Sequence, residues 1–346
     1  METKMDRRGF LERAAGVAAG VAAVGASARV DGAAAVAAPV QPSVARIGLQ
    51  LYSVRERVDA DVLKALEDVA AVGYKFVEFA GYGKAAPEQI RARLDALKMK
   101  APSTHIGLRL LRENFDAQAH IAEVLGHEYI TVPSLDRDMP LTTDGWKKMS
   151  DEFNAIGTKL KARKIGLAFH SHRDEYLNVG NGKKGLDVFI ASTDPALVAF
   201  EMDLGWAVAA GQDPLAWFNR YPGRFKMWHV KDMLPVATLR EGQEWRFREL
   251  EAQAVAPPAP SAAPPAGGGQ PAAGATRGTG APPAVTFMPG PVPVGAGEID
   301  FAPFIKQWRL AGNEYFFVEQ DSGPTWPGGS LVAITTSYRN LTNILR

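Results

Sequence analysis

From Arg46 onward the chain alternates between short apolar, β-rich runs and longer stretches in which apolar residues recur every three to four positions. The runs are Ile47–Tyr52, Phe76–Ala80, Ala101–Ile106, Tyr129–Pro133, Gly166–His172, Val198–Leu204, Phe225–Val230 and Tyr315–Gln320. Between them the pattern predicts helices such as Ala60–Val72, Pro87–Leu97, Asp116–Leu125, Asp144–Arg163 and Asp213–Tyr221. Several open on an Asp or Pro suited to a helix N-terminus. Strands separated by crossover helices build a parallel sheet. Eight of them suit a closed barrel, whereas doubly wound sheets commonly have about five or six. No glycine-rich phosphate fingerprint follows the first run. The expected fold is therefore α/β, a single-domain (β/α)8 TIM barrel spanning 46–346.

Two segments break the alternation. Over 252–293 the chain is dominated by Pro, Ala and Gly, with Pro257-Pro258, Pro264-Pro265 and Gly267-Gly268-Gly269. Such a composition buries too little apolar surface to offset its ordering entropy. One strand-helix unit still follows it, so it reads as a largely disordered insertion in the loop after strand seven, at the C-terminal mouth of the barrel. The other segment is 1–45. Asp6-Arg7-Arg8-Gly9-Phe10-Leu11 precedes a mildly apolar Ala/Val/Gly run from Ala14 to Ala26, and together they resemble a twin-arginine export signal followed by a linker. The run is short of the about 20 strongly apolar residues of a membrane span. Cleavage after Ala28 or near Ala38 is compatible with the sequence, which predicts a periplasmic or secreted protein with no stable membrane insertion after processing.

Composition changes this picture little. Of 346 residues, 46% are hydrophobic and 22% charged, as in ordinary globular proteins. The net charge is +1, and loss of residues 1–28, with four basic and three acidic groups, leaves 35 of each sign. Nothing in that balance points to nucleic acid. There is no cysteine, which excludes disulfides, thiolate metal sites and a cysteine nucleophile.

The chemistry lies at the C-terminal ends of the predicted strands, where barrels of this kind carry their functional side chains. Strand five ends in His170-Ser171-His172 with Glu175 close behind, strand six in Glu201-Met202-Asp203, strand seven in His229-Val230-Lys231-Asp232, and strand eight in Glu319-Gln320-Asp321. Imidazoles and carboxylates on one rim suit a single divalent ion such as Mn²⁺, Co²⁺, Zn²⁺ or Mg²⁺. His105, Glu78 and Tyr52 end strands three, two and one, at places suited to substrate hydroxyls. His120 and His127 fall in a helix and the turn after it and receive no role.

These motifs resemble the xylose isomerase-like sugar isomerase/epimerase superfamily. The resemblance runs through His170-Ser171-His172, Phe200 to Trp206, Ala210 to Pro214, Tyr221 to Phe225, His229 to Asp232, Val294 to Phe301 and Phe317 to Asp321. It implies a metal held by an acid on strand five, Asp203, His229 and Glu319. At the strand-five position this chain has His170, with His172 and Glu175 as alternatives, so the fourth ligand stays open. By the same resemblance Glu319 doubles as the base, partnered by Glu175 or His172, with Lys231 steadying an oxyanion and Trp206 facing substrate.

The activity implied is isomerisation or epimerisation of a free sugar or sugar derivative through an enediolate. The alternatives are elimination from a 3-keto-glycoside or an inosose-like substrate by a lyase or dehydratase, and non-catalytic periplasmic sugar binding. A metal-dependent nuclease on the same barrel is disfavoured by the small number of histidines, six, and the lack of a basic run near the site. The oligomeric state is not legible.

Overall fold

The computed structural model describes residues 46–136, 139, 141–180, 182–241 and 290–346. The expected export segment and most of the expected insertion lie outside the described residues. The eight predicted strands all form. They are β1 (Ile47–Gln50), β2 (Phe76–Phe79), β3 (Lys100–His105), β4 (Tyr129–Val132), β5 (Gly166–Ser171), β6 (Val198–Asp203), β7 (Phe225–Val230) and β10 (Tyr315–Val318). They close in the order β1-β10-β7-β6-β5-β4-β3-β2, every pairing parallel. The (β/α)8 barrel is the fold of this chain.

Alternation along each strand divides the side chains between two cores. Leu49, Val77, Phe169, Phe200, Trp228 and Phe316 are buried in the large cluster that includes the helices' apolar faces. Ala168, Met227, Tyr315 and Phe317, with Phe76, Tyr129 and Ala199 against them, form a separate smaller cluster. The next positions on that second face, two residues further along each strand, are His170, Glu201, His229 and Glu319. The same face thus changes from apolar to ionisable one layer higher. Gly48 on β1 makes room for this packing, since a Cβ there would lie 2.5 Å from the Phe317 ring.

The predicted helices appear as Arg55–Val72, Pro87–Ala96, Phe115–Leu125, Thr143–Ala162 and Pro214–Arg220. The first starts earlier than the pattern predicts. It is interrupted at Asp61, whose backbone is extended and whose carboxylate accepts from the Leu63 and Lys64 amides. The apolar period locates this restart, not the true beginning. Further helices of the outer ring, Gly185–Ser192 and Ser330–Ile344, follow β5 and β10. Among the described helices none is long and apolar enough to cross a membrane.

The insertion ends earlier than its composition suggests. Gly290–Val292, expected to lie within it, forms strand β9 and pairs antiparallel with β8 (Asp232–Leu234), directly after β7. Asp232 fastens the returning chain. Its carboxylate accepts from the amides of Met233, Gly295, Gly297 and Ile299 at 2.9–3.1 Å. A side chain on Gly297 would run into that carboxylate.

Candidate metal and substrate site

Two layers of ionisable groups fill the top of the barrel. The inner layer is built on Glu78 and Glu201, both fully buried. Glu78 Oε2 accepts from Gln50 Nε2 at 2.8 Å, and its Oε1 from the Ser103 hydroxyl at 2.5 Å. Glu201 Oε2 lies 2.9 Å from His105 Nε2, 3.0 Å from His170 Nδ1 and 3.2 Å from His229 Nε2. Glu201 Oε1 is buried without a hydrogen-bond partner among the described residues. The outer layer is built on Asp203, Glu319 and Asp321. The fully buried Lys231 ammonium sits among them, 2.9 Å from Asp203 Oδ2, 2.6 Å from Glu319 Oε2 and 3.0 Å from Asp321 Oδ2.

His170 and His229 span the two layers. His229 Nε2 meets Glu78 at 2.7 Å while its Nδ1 meets Glu319 at 2.8 Å. The Nε2 atom of His170 lies on the outer side, 3.9 Å from Asp203 Oδ2. Strand register produces this, because His170 pairs with Glu201 across β5–β6 and Asp203 with His229 across β6–β7. Asp203 also begins the helix Leu204–Ala209, accepting from the Trp206 amide at 2.9 Å.

The charges follow from burial set against neighbours. Burial would depress the Lys231 ammonium, but Asp203, Asp321 and Glu319 hold it well above its ordinary value. Burial raises Glu319, yet Lys231 and His229 outweigh it and keep that carboxyl well below the carboxylate range. Glu201 is likewise held low, burial being overcome by its histidines. His229, desolvated but facing Glu201 and Glu319, is pushed well above a free imidazole. His170 goes the other way, to about 3, through burial and the charge on His229. Burial beside His170 and Lys231 keeps His172 well below 6.5 and therefore neutral. Asp203 rises to about 6 through burial, with Lys231 opposing, and Glu175 to about 7, again through burial.

A cavity of about 470 Å³ opens above the outer layer, lined by Tyr52, His105, His170, His172, Trp206, Lys231, Glu319 and Asp321. A neighbouring one of about 720 Å³ shares His172 and Trp206 with it and adds Arg173, Glu175 and apolar Leu135, Met139 and Leu141.

Comparison with known proteins agrees with this geometry. The family model described as xylose isomerase-like TIM barrel matches residues 66–333. The chain belongs to the xylose isomerase-like TIM barrel family. A sugar phosphate isomerase/epimerase from Parabacteroides distasonis has the same fold, with a TM-score of 0.63 and 22% identity over 87% of this chain and 99% of its own. A zinc-bound IOLI protein superposes with a TM-score of 0.59 and 12% identity over 87% of this chain and 98% of that one. By sequence, inosose dehydratase of Lacticaseibacillus casei is 24% identical over 49% of this chain and 63% of its own length. The match spans less than two thirds of that relative.

Within this family member the residues singled out from the sequence fall at different depths. His170, Asp203, His229 and Glu319 come together, each offering a donor atom within 4.8 Å of the others. Two imidazoles and two carboxylates, all buried, form a donor set that fits a borderline divalent ion. Lys231 shares the carboxylates of that set, and His105 and His172 border it. Glu78 is fully buried, bonded to Gln50, Ser103 and His229, and does not line the cavity of about 470 Å³. Tyr52 stands at the mouth, 42% exposed, and Trp206 forms part of the wall. Glu175 lines the neighbouring cavity and accepts from the backbone amide of His172 at 2.9 Å, and so holds that turn in place.

Sequence reasoning gave no role to Glu201, Asp321, Gln50 or Ser103. For Glu201 a signal was available: it precedes Asp203 by two residues on one strand and must share its face.

Proposed function

We propose that this chain is a divalent-metal-dependent enzyme that isomerises or epimerises a free sugar or sugar derivative. The observation that carries this reading is the convergence of His170, Asp203, His229 and Glu319 beneath a cavity of monosaccharide size. The zinc named for one structural neighbour and the isomerase/epimerase description of another support it. A divalent ion on those four residues would act as a Lewis acid toward an adjacent carbonyl and hydroxyl of the sugar, acidifying the carbon between them.

The protein's own groups do the rest. Glu319, kept ionised, is the base nearest the ligand set. His172 faces the same cavity and, being neutral, can serve as a second base, while the proton returned to carbon comes from the carboxyl formed when Glu319 takes it up. The Lys231 ammonium stands ready to steady negative charge on a substrate oxygen. Tyr52, His105 and Trp206 offer hydrogen bonds and an aromatic face to the ring.

Elimination is the second reading, favoured because the curated relatives are named inosose dehydratases. It begins with the same proton abstraction and differs only in the loss of a β-substituent. The two separate when the metal-loaded protein is incubated in D₂O with ketoses, inososes and 3-keto-glycosides and followed by NMR. Deuterium entering next to the carbonyl without fragmentation supports isomerisation or epimerisation. Loss of water or an aglycone transfers the reading to a lyase. Sugar binding that is indifferent to chelator, with no exchange on any substrate, leaves a binding protein.

We also propose export by the twin-arginine route, on the strength of Arg7-Arg8 and the apolar run behind them. Replacing both by Lys should retain the precursor inside the cell. Undiminished export of that variant rejects the route.

A further inference from the structure

We propose that Glu201 is a positioning residue that sets the tautomer of His170 and, together with Glu78, that of His229, so that the lone pairs of both rings face the ion. This rests on the metal reading above and concerns how the ligands are aimed.

A carboxylate can only accept hydrogen bonds, so a ring nitrogen that faces one must carry a proton. His170 Nδ1 faces Glu201 Oε2 at 3.0 Å, and His229 Nε2 faces Glu78 at 2.7 Å and Glu201 at 3.2 Å. With those protons on the inner side, His170 presents Nε2 as a lone pair toward Asp203, 3.9 Å away, while His229 Nδ1, 2.8 Å from Glu319, carries a proton by the same rule and becomes a lone pair when a cation displaces it. Both outer neighbours are acceptors too. With a cation in place of the Nδ1 proton, those two nitrogens and the two carboxylates make a complete tetrad. The inner carboxylates thereby determine that the outer layer binds a metal through His170 Nε2 and His229 Nδ1.

Glu201 is singled out over Glu78 by its partners. Glu78 is also bonded to Gln50 and Ser103 and belongs to a wider polar network. Among the described residues the contacts of the Glu201 carboxylate all go to imidazoles, through Oε2, while Oε1 is buried without a partner. Leaving a buried oxygen unpaired is costly. A buried carboxylate that touches three histidines is suited to orienting rings. The strand supplies ligand and orienting group together, since Glu201 and Asp203 are two residues apart on β6 and Glu201 is the direct cross-strand neighbour of His170. Carboxylates behind metal-binding imidazoles fix ring and tautomer in this way, and their removal commonly weakens metal binding by about 10- to 100-fold.

The test uses full-length protein stripped with chelator and titrated with zinc by calorimetry, alongside ¹⁵N NMR of the histidine rings. Zinc-loaded wild type should bind one ion per chain, with His170 protonated at Nδ1 and His229 at Nε2. Glu201→Gln keeps the volume but can donate toward His170. It should still bind one ion per chain, about 10- to 100-fold more weakly, with His170 no longer confined to one tautomer. Asp203→Asn should weaken binding without changing the His170 tautomer. The opposite tautomers in wild type overturn the proposal whether or not the variant folds. Unchanged affinity in Glu201→Gln also overturns it, as does abolished binding there combined with normal binding in Asp203→Asn, which would make Glu201 a ligand of a deeper ion. Folded wild type that takes up no zinc defeats the metal reading itself.

Discussion

Lys231 is the residue on which the site's stability turns. Its ammonium is fully buried against Asp203, Glu319 and Asp321, so its removal leaves three carboxylates facing one another in a low dielectric. Breaking a buried charge pair in this way commonly costs about 3–5 kcal/mol. Lys231→Met should show a loss of that order in urea unfolding, partly restored by saturating zinc. A variant as stable as wild type would mean the carboxylates are already protonated. Glu319→Gln addresses the chemistry instead. It should lower turnover by about 10²–10⁴-fold, the usual worth of a positioned base, while far-UV circular dichroism stays native. The strand ends made Asp203, His229 and Glu319 legible, because each closes a β-run with a polar residue after apolar ones. Glu201 could be placed on the face of Asp203, but its partners could not be read, since the groups opposite it come from β3, β5 and β7, and the level at which strands meet depends on barrel stagger that no single strand encodes.

At the scale of elements, the turn between the helix Phe115–Leu125 and β4 carries a pH dependence of its own. His127 is buried there, its Nδ1 2.5 Å from the Ala101 carbonyl and its Nε2 3.3 Å from the Tyr82 hydroxyl. Burial lowers it from 6.5 to about 4. Above pH 6.5 the ring is neutral in both folded and unfolded chains and the group adds no pH dependence. Below that the unfolded chain takes up the proton first, so stability falls as pH drops from 6.5 toward 4, by on the order of 3 kcal/mol in all. His127→Gln should flatten that part of the stability–pH curve, and an unchanged slope would refute the assignment. The sequence placed this histidine after a helix but gave no sign of its burial, because burial comes from β3 and Tyr82, distant along the chain. Element types were easier to read than their ends. Asp61 interrupts the first helix with local hydrogen bonds, and the apolar period resumes only after it.

For the whole molecule, every strand of the closed barrel lies outside 242–289, the segment that holds the Pro/Ala/Gly-rich stretch. β8 and β9 pair across its two ends, and Asp232 ties the returning chain through four amides. Loop length enters stability only logarithmically. Replacing 242–289 with a short Gly/Ser linker should therefore shift the melting temperature by no more than a few degrees, and a collapse would show that the stretch takes part in folding. Composition revealed the stretch but not its boundary, since Gly290-Pro291-Val292 reads as loop until a partner strand is present. Zinc at about 100-fold over its dissociation constant should stabilise the chain by about 2.7 kcal/mol, and no change in melting temperature would tell against the metal reading. The internal ammonium has a further consequence for the order of events in the life of the chain. A protein that carries its own counter-cation has no need to await an ion before maturing. Under the proposed metal dependence, ion acquisition becomes an exchange, in which the newcomer must evict a tethered competitor from Asp203 and Glu319. Such an exchange favours ions that shed water readily and grip imidazole, and discriminates against magnesium, which does neither.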